Sequence, residues 1–309
     1  MPDLDLLVVG DANPDLVLRG DAEPRFGQAE VLVDGAELAI GGSGAITACG
    51  AARLGLRVGM CSVVGDDAFG RFMVEALGER GVDVSAVSLA RDRPSGVSVI
   101  LSRGDDRAIL TSTGTIADLR AADVDRDVLR SARHVHVSSY FLQTSLQPNL
   151  GGLFDDAHAA GASTSIDPNW DPAEVWDGGL LELLSRTDLF FPNSAEARSI
   201  TSIDDIDVAA QILSERGATV GVKFGQGGGL ATDGHDVVRS EAIPAEVVDT
   251  TGAGDAFDAG FLAGRLGGWS LHRCLGLAIA CGSLSTRAVG GTAAQPTREE
   301  ALAALERAA

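Results

Sequence analysis

The 309-residue chain predicts an α/β fold: a mostly parallel central sheet flanked by helices on both faces, with a small β-sheet beside it. Three observations carry that expectation. Short β-branched runs alternate with helix-period stretches along most of the chain, the pattern of parallel strands joined by crossover helices. Hydrophobic residues make up 45% of the chain, enough for a large core. Two segments, 14–41 and 95–113, break the alternation with polar, turn-rich, strand-like runs.

Taken in order, "LDLLVVG" is a buried strand, and "SGAITACGAARLG" is a helix of small residues ending at Gly55. "RVGMCSVVG" is the next strand, and "DAFGRFMVEALGERG" an amphipathic helix stopped by Gly81. Further on, "HVHVSS", "ASTSID", "DLFFPN" and "TVGVKFG" are strands, each beside a helical stretch. Ligands of such sheets gather beyond the carboxyl ends of the strands. "VVGDANPD", "SIDPNWD", "FFPNSAEA" and "VKFGQGGG" are all strand exits, so the chemistry is expected there. In the two exceptional segments, "DLVLRG" and "EVLVDG" are weak strands, and "SGVSVILSRGDDRAILTST" is a hairpin turning at "RGDDR". No linker, repeat or charge block divides the chain, so residues 1–309 are expected to form a single domain.

The formal charge of −20 argues against nucleic acid or an anionic membrane as a partner, because both need basic patches. A polyanionic ligand would have to be met at a local site, with a metal cation. Lys223 is the only lysine. The four cysteines form no CxxC pair and are expected as buried free thiols of a cytoplasmic protein. The opening "MPDLDLLVVG" is acidic and enters a strand at once, unlike a signal peptide, and no apolar run reaches membrane-spanning length.

"DTTGAGDAFDAG", residues 249–260, sets an anion-holding feature between two carboxylates. Amides freed by glycine at a helix start converge and carry the positive end of the helix dipole, so they suit a phosphate. An aspartate in a first helical turn has an ordinary use as well, since it complements the dipole.

The stretch as a whole resembles the second motif, D-T-x-G-A-G-D, of the ribokinase-like (PfkB-type) carbohydrate kinase family. It matches at Asp249, Thr250, Gly252, Ala253, Gly254 and Asp255. The resemblance implies a ribokinase-like fold with a β-sheet lid over the sugar, and an ATP-dependent kinase acting on a hydroxymethyl group. Asp255 then corresponds to the general base, and Gly252, Ala253 and Gly254 to the anion hole for the transferred phosphoryl group. A sugar hydroxyl is a poor nucleophile, so base and anion cradle must be neighbours.

The resemblance runs along essentially the whole chain. "GGSGAITACGAARLG" looks like the first motif, placing Gly41, Gly42 and Ser43 at the substrate. Ile46 departs, standing where the family usually has an asparagine. "GDANPD" resembles the strand-1 exit that binds the sugar, with Asn13 and Asp15 suited to vicinal hydroxyls; an Asn-Pro-Asp turn is the plainer alternative. "FFPNSAEA" matches an N-x-x-E element at Asn193, which orients phosphates, and Glu196, which holds Mg²⁺ through water; a helix cap is the plainer alternative. "VKFGQGGG" puts Lys223 and Gly225 near the triphosphate, with Gly227 and Gly228 in the turn, and Thr250 joins the same nucleotide set. "SIDPNW" resembles the D-P-N stretch of fructokinase-like and ketodeoxygluconate kinase-like members, with Trp170 where arginine often follows. "GGTAAQP" corresponds to the C-terminal loop that packs on adenine and, with Asp249, binds a monovalent cation such as K⁺ in some members. Segments 14–41 and 95–113 suit the lid, with Arg107 in its hairpin, and lids of relatives often pair into homodimers.

Other classes fail on residues. A Walker loop needs Gly-Lys-Ser/Thr, and the sole lysine follows Val222. No GxGxxG follows the first strand, and no GxSxG elbow occurs. His134 and His136 alternate on an apolar strand, in keeping with structural roles. Three readings stand: a kinase of a small sugar, a nucleoside kinase of the same family, and a non-catalytic relative that binds a sugar or nucleotide.

Overall fold

The computed structural model describes residues 3–103 and 106–308. Thirteen strands are described: β1 (Leu6–Val9), β2 (Asn13–Arg19), β3 (Gly35–Gly41), β4 (Val58–Gly65), β5 (Val82–Ala90), β6 (Val97–Arg103), β7 (Asp106–Ser112), β8 (His134–Val137), β9 (Ser163–Ile166), β10 (Leu189–Phe190), β11 (Thr219–Lys223), β12 (Gly229–Thr232) and β13 (Val237–Ser240). The helices are α1 (Ser43–Arg53), α2 (Ala68–Glu79), α3 (Arg126–Arg130), α4 (Leu150–Ala159), α5 (Leu180–Leu183), α6 (Ser194–Thr201), α7 (Ile206–Ser214), α8 (Ala253–Leu266), α9 (Leu271–Ser285) and α10 (Arg298–Ala308).

The large sheet runs β13-β12-β11-β10-β9-β8-β1-β4-β5. From β11 to β5 every pairing is parallel; β12 and β13 add an antiparallel edge. Alternate residues of β1 explain why both faces must be covered. Leu6 and Val8 enter the core under α1, α8 and α9, while Leu7 and Val9 enter the core under α4 and its neighbours. A strand buried on both sides reads as a continuous apolar run, which is what "LLVV" is.

The second sheet has the order β3-β2-β6-β7. The hairpin expected within 95–113 is β6 and β7, paired antiparallel from Val97↔Ser112 to Arg103↔Asp106. Part of the expected "RGDDR" turn, residues 104 and 105, lies outside the described residues. "DLVLRG" falls in β2, but "EVLVDG" is not a strand: residues 30–33 are loop, and pairing begins only at Gly35. The register explains the correction. Asn13↔Gly41 through Arg19↔Gly35 spends all of β2 on "GAELAIG", leaving Leu32 without a partner strand and 86% exposed.

The two sheets meet at the carboxyl end of β1. Residues 10–12 separate β1 from β2, and β3 runs directly into the start of α1. This junction faces the start of α8, whose residues lie more than two hundred positions later.

All four cysteines are buried and unpaired, and burial pushes the Cys281 thiol up to about 12. His134 and His136 are buried in β8 against Ser163 and Ser165 of β9, at 2.6–2.7 Å, as the structural reading expects. Among the described residues no helix is long and apolar enough to cross a membrane.

Candidate active site

The start of α8 decides the site. Gly252 is its N-cap, with φ 72° and no side-chain cap. Glycine is required there: φ is left-handed, and a Cβ would meet Gly291 Cα at 2.7 Å and Ile46 Cγ2 at 2.9 Å. First-turn amides have no acceptor within their own helix. With no side chain over it, this helix start presents its positive dipole end to whatever lies before it, although the Ala253 amide already donates to the Thr250 carbonyl at 3.3 Å.

Asp255 sits in that first turn, half-buried. Ser43 Oγ, from the first turn of α1, donates to its Oδ1 at 2.6 Å. Ser43 is itself fixed by Asp11 at the exit of β1. Asp11 Oδ2 accepts from the Ser43 amide and Oδ1 from the Gly44 amide, both at 3.0 Å, and Oδ1 also accepts from Ser138 Oγ at 3.0 Å. Loss of solvation raises the Asp255 carboxyl to about 7, the nearby Asp167 charge adds to this, and Ser43 and Lys223 oppose it. A carboxyl balanced near neutrality can both take and hold a proton.

Asn13 and Asp15 also converge here. Both are buried, at 2% and 6% exposure, in β2 of the small sheet. Asn13 Nδ2 donates to Ser98 Oγ at 3.3 Å, so one of its groups is spent on β6. Burial raises Asp15 to about 7, the charges of Asp11, Asp255 and Asp249 add to this, and Arg107 opposes it. Gly41 lies beside Asp15 in the β2–β3 pair, and a Cβ at Gly41 would fall on the Asp15 carboxyl. Gly42, at φ 81°, caps α1 and turns the chain from small sheet to helix. Ile46 is buried and packs on Gly252 and Gly291, so the departure from asparagine supplies an apolar wedge behind the glycine loop.

Beside α8 lies a cavity of about 520 Å³, lined by apolar Ile243, Val247, Phe257 and Ile279 and by Thr250 and Gly254. Ala253, Lys223, Gly225 and Gly228 also line it. Gly227 belongs to the same turn, within the short 3-10 segment Gly225–Gly227. The cavity is a mostly apolar slot beside the N-terminus of α8.

Lys223 does not reach out along the cavity. Its Nζ lies 2.6 Å from Asp167 Oδ2 and 2.8 Å from Asp258 Oδ1, and its side chain is only 11% exposed. The sole lysine is the counter-cation of two buried carboxylates, which hold its pKa well above the ordinary value against the opposing effect of burial. Asp258 lies one turn after Asp255 on α8, and oxygens of Asp167, Asp255 and Asp258 come within 4.8 Å of one another. Three carboxylates this close could hold a metal ion, but the ammonium already stands between two of them.

Asn193 and Glu196 form a capping box at the start of α6. Asn193 Oδ1 accepts from the Glu196 amide at 2.9 Å, and Glu196 Oε2 from the Asn193 amide at 2.8 Å. Asn193 pairs with Lys223 in an isolated bridge, which sets the box at the site's edge. Burial raises Glu196 to about 7, with Asp167 adding and Lys223 opposing. The cap and the site reading describe the same residues in the same place.

Asp249 is a hub. Oδ1 accepts from the Thr251 amide (2.9 Å) and hydroxyl (2.8 Å) and from Arg107 Nη1 (3.3 Å), and Oδ2 accepts from the Gly290 amide (2.8 Å). Arg107 is exposed but engaged. Its Nη1 also reaches Thr250 Oγ1 at 2.9 Å and Thr251 Oγ1 at 3.0 Å. Trp170 is half exposed and packs edge-on against Trp176, 4.8 Å between ring centroids.

Sequence reasoning missed Asp11, Asp167 and Asp258. The first two lie within quoted strand exits, and Asp258 follows Asp255 by one helical turn, so position on the elements was the available signal.

A helix start with no side-chain cap, beside the Asp255 carboxylate and an apolar cavity, suits phosphoryl transfer to an alcohol. Comparison with known proteins makes the assignment particular. The family description "pfkB family carbohydrate kinase" matches residues 3–298. The chain belongs to that family. It is 32% identical over 274 residues to a 2-dehydro-3-deoxygluconokinase of Bacillus subtilis, covering 84% of this chain and 85% of that protein. It is 34% identical over 311 residues to a fructokinase of Klebsiella pneumoniae, covering 95% and 96%. Its fold matches a structure of a ribokinase of Arabidopsis thaliana complexed with ribose and ATP at TM-score 0.83 and 26% identity, covering 98% and 99%.

Proposed function

We propose that the chain uses ATP and Mg²⁺ to phosphorylate a hydroxymethyl group of a small sugar, with the sugar held between Asn13, Asp15 and Ser43 and the nucleotide in the slot beside α8. The observation that carries this is the pairing of Asp255 with the uncapped N-terminus of α8. The acceptor hydroxyl gives its proton to Asp255 as its oxygen attacks the γ-phosphorus. The bond from that phosphorus to the β–γ bridging oxygen breaks, and ADP leaves. The amides after Gly252 stabilise charge on the transferred group without having to reorganise. Asn193 orients the phosphates from the slot's edge. The purine packs between Ile243, Val247 and Ile279.

Glu196 and Asn193 offer oxygen donors, the chemistry a hard divalent cation takes. Magnesium held there through water would neutralise triphosphate charge as it shifts toward the leaving oxygen. Potassium at Asp249 has only the family resemblance behind it, because both carboxylate oxygens already accept protein donors.

The whole chain acts as one kinase unit in this reading, and the small sheet is its lid. It covers Asn13 and Asp15 and keeps water from the phosphoryl group. Ile109 and Leu110 stand on opposite faces of β7 and are each more than half exposed, and Leu110 marks the surface through which we expect a homodimer. Sedimentation at concentrations above those of the assay tests this, and a monomer there removes it. The acidic surface and reduced thiols suit a cytoplasmic enzyme.

The deciding experiment is a panel of ribose, fructose, 2-keto-3-deoxygluconate and nucleosides, screened for acceptor-dependent ADP release. A sugar is expected to lead. A nucleoside in first place would move the assignment to the nucleoside kinases of the family, and no acceptor-dependent release would favour a ligand-binding relative.

A further inference from the structure

We propose that Arg107 is a positioning residue: a latch that ties closure of the small sheet to the ordering of the loop that presents the phosphoryl-binding amides. This rests on the kinase reading above.

Arg107 stands near the start of β7, opposite Ser102 of β6. Its side chain leaves the small sheet and ends on residues 249–251, where Nη1 meets Thr250 Oγ1 at 2.9 Å, Thr251 Oγ1 at 3.0 Å and Asp249 Oδ1 at 3.3 Å. The next residue after these three is Gly252, the cap of α8. A single guanidinium nitrogen from the lid therefore grips the three residues that lead into the anion hole. Asp249 passes the contact on, because its other oxygen accepts the Gly290 amide of the C-terminal loop at 2.8 Å. Lid, glycine loop and C-terminal loop share one carboxylate.

Charge points the same way. Asp11, Asp249 and Asp255 lie near enough to Asp15 for their charges to act on it, and Arg107 opposes all three. An open lid would withdraw that cation from the pocket and leave the carboxylates to repel one another.

Strength decides what kind of device this is. The Arg107 side chain is 34% exposed and that of Asp249 15%, so solvent screens the pair in part. Three partly screened contacts shift an open–closed equilibrium by roughly tenfold, not by the many decades of a permanent seal. That suits a lid that must open at each turnover.

The test uses the full chain with Mg²⁺ and the non-hydrolysable nucleotide AMP-PNP, read by amide hydrogen exchange. R107A is expected to speed exchange in β6 and β7 and in residues 250–256 together, by about tenfold, while β12 and β13 at the far sheet edge keep their protection. R107K, which keeps the charge but lacks the fork, should fall between. In turnover, R107A should raise the acceptor KM about tenfold and increase ATP hydrolysis relative to transfer, and added guanidinium ion should restore part of both. Unchanged protection at 250–256 in R107A overturns the latch, as does a loss that spreads to β12 and β13. Exchange needs no turnover, so a parent protein that phosphorylates nothing would sink the kinase reading while leaving this measurement decisive.

Discussion

Asparagine in place of Asp255 is expected to lower turnover by about 10²–10⁴ while leaving ATP and acceptor binding near normal. The substitution preserves shape. Ser43 Oγ can still donate to the side-chain oxygen it now holds at 2.6 Å, so the junction of α1 and α8 stays closed. What disappears is the anionic oxygen basic enough to take the acceptor's proton. The parent enzyme should show the matching pH signature. Burial raises Asp255 to about 7, and only the ionised form is a base, so kcat/KM for the acceptor should rise with pH through about 7 and then level. Asp15 is raised to about 7 as well and feels the Asp255 charge, so the observed limb belongs to the pair. Residual activity of the variant should lack the Asp255 share of that limb. Turnover equal to the parent's would remove Asp255 from the chemistry, whereas lost binding would reassign it to holding ligand.

The second large effect is on stability. Lys223→Met removes the ammonium between Asp167 and Asp258, whose side chains are 7% and 0% exposed. A buried pair broken from one side costs about 3–5 kcal/mol, because a charge is left without a partner. The variant should therefore unfold at a clearly lower denaturant concentration. The deficit should also depend on pH. Without the lysine, burial raises both carboxyl pKa values above their unfolded values. Each such group contributes stability that is full below its unfolded pKa and is lost as pH rises through its folded pKa. The variant's shortfall should thus be smaller in mild acid than at alkaline pH. Denaturant midpoints of parent and variant at the two pH values measure this, and equal midpoints would mean that the lysine carries no such burden.

The large sheet was legible because period-2 and period-3.6 apolar patterns alternate along the chain, and each strand buried on both faces stands out as a solid apolar run. The glycine loop was legible because it is local: residues 249–255 fold on themselves at one helix start. Strand position in the small sheet was not. "EVLVDG" alternates as well as "GAELAIG", and only the pairing Asn13↔Gly41 selects the second. The strand β5 and the antiparallel edge of β12 and β13 were likewise hidden, since pairing partners choose them. In the site, Lys223 stood out as the sole lysine, but its carboxylate partners did not, because Asp167 lies 56 residues away and Asp258 35. Ser43 and Asp255, 212 residues apart, show the same limit. Sequence marks which residues are chemically able, and the winding of the sheet decides whom they meet.

Only Ala12 separates Asp11, just beyond the end of β1, from Asn13 at the start of β2. Asp11 is anchored to the body through α1, whereas Asn13 and Asp15 ride on the other sheet. A tilt of that sheet by a few degrees would shift the acceptor's seat while the base stayed where it is. Drift in the outer residues of the small sheet, far from any reacting atom, could then retune which alcohol is accepted, and new preferences could arise during divergence without a change in the catalytic residues.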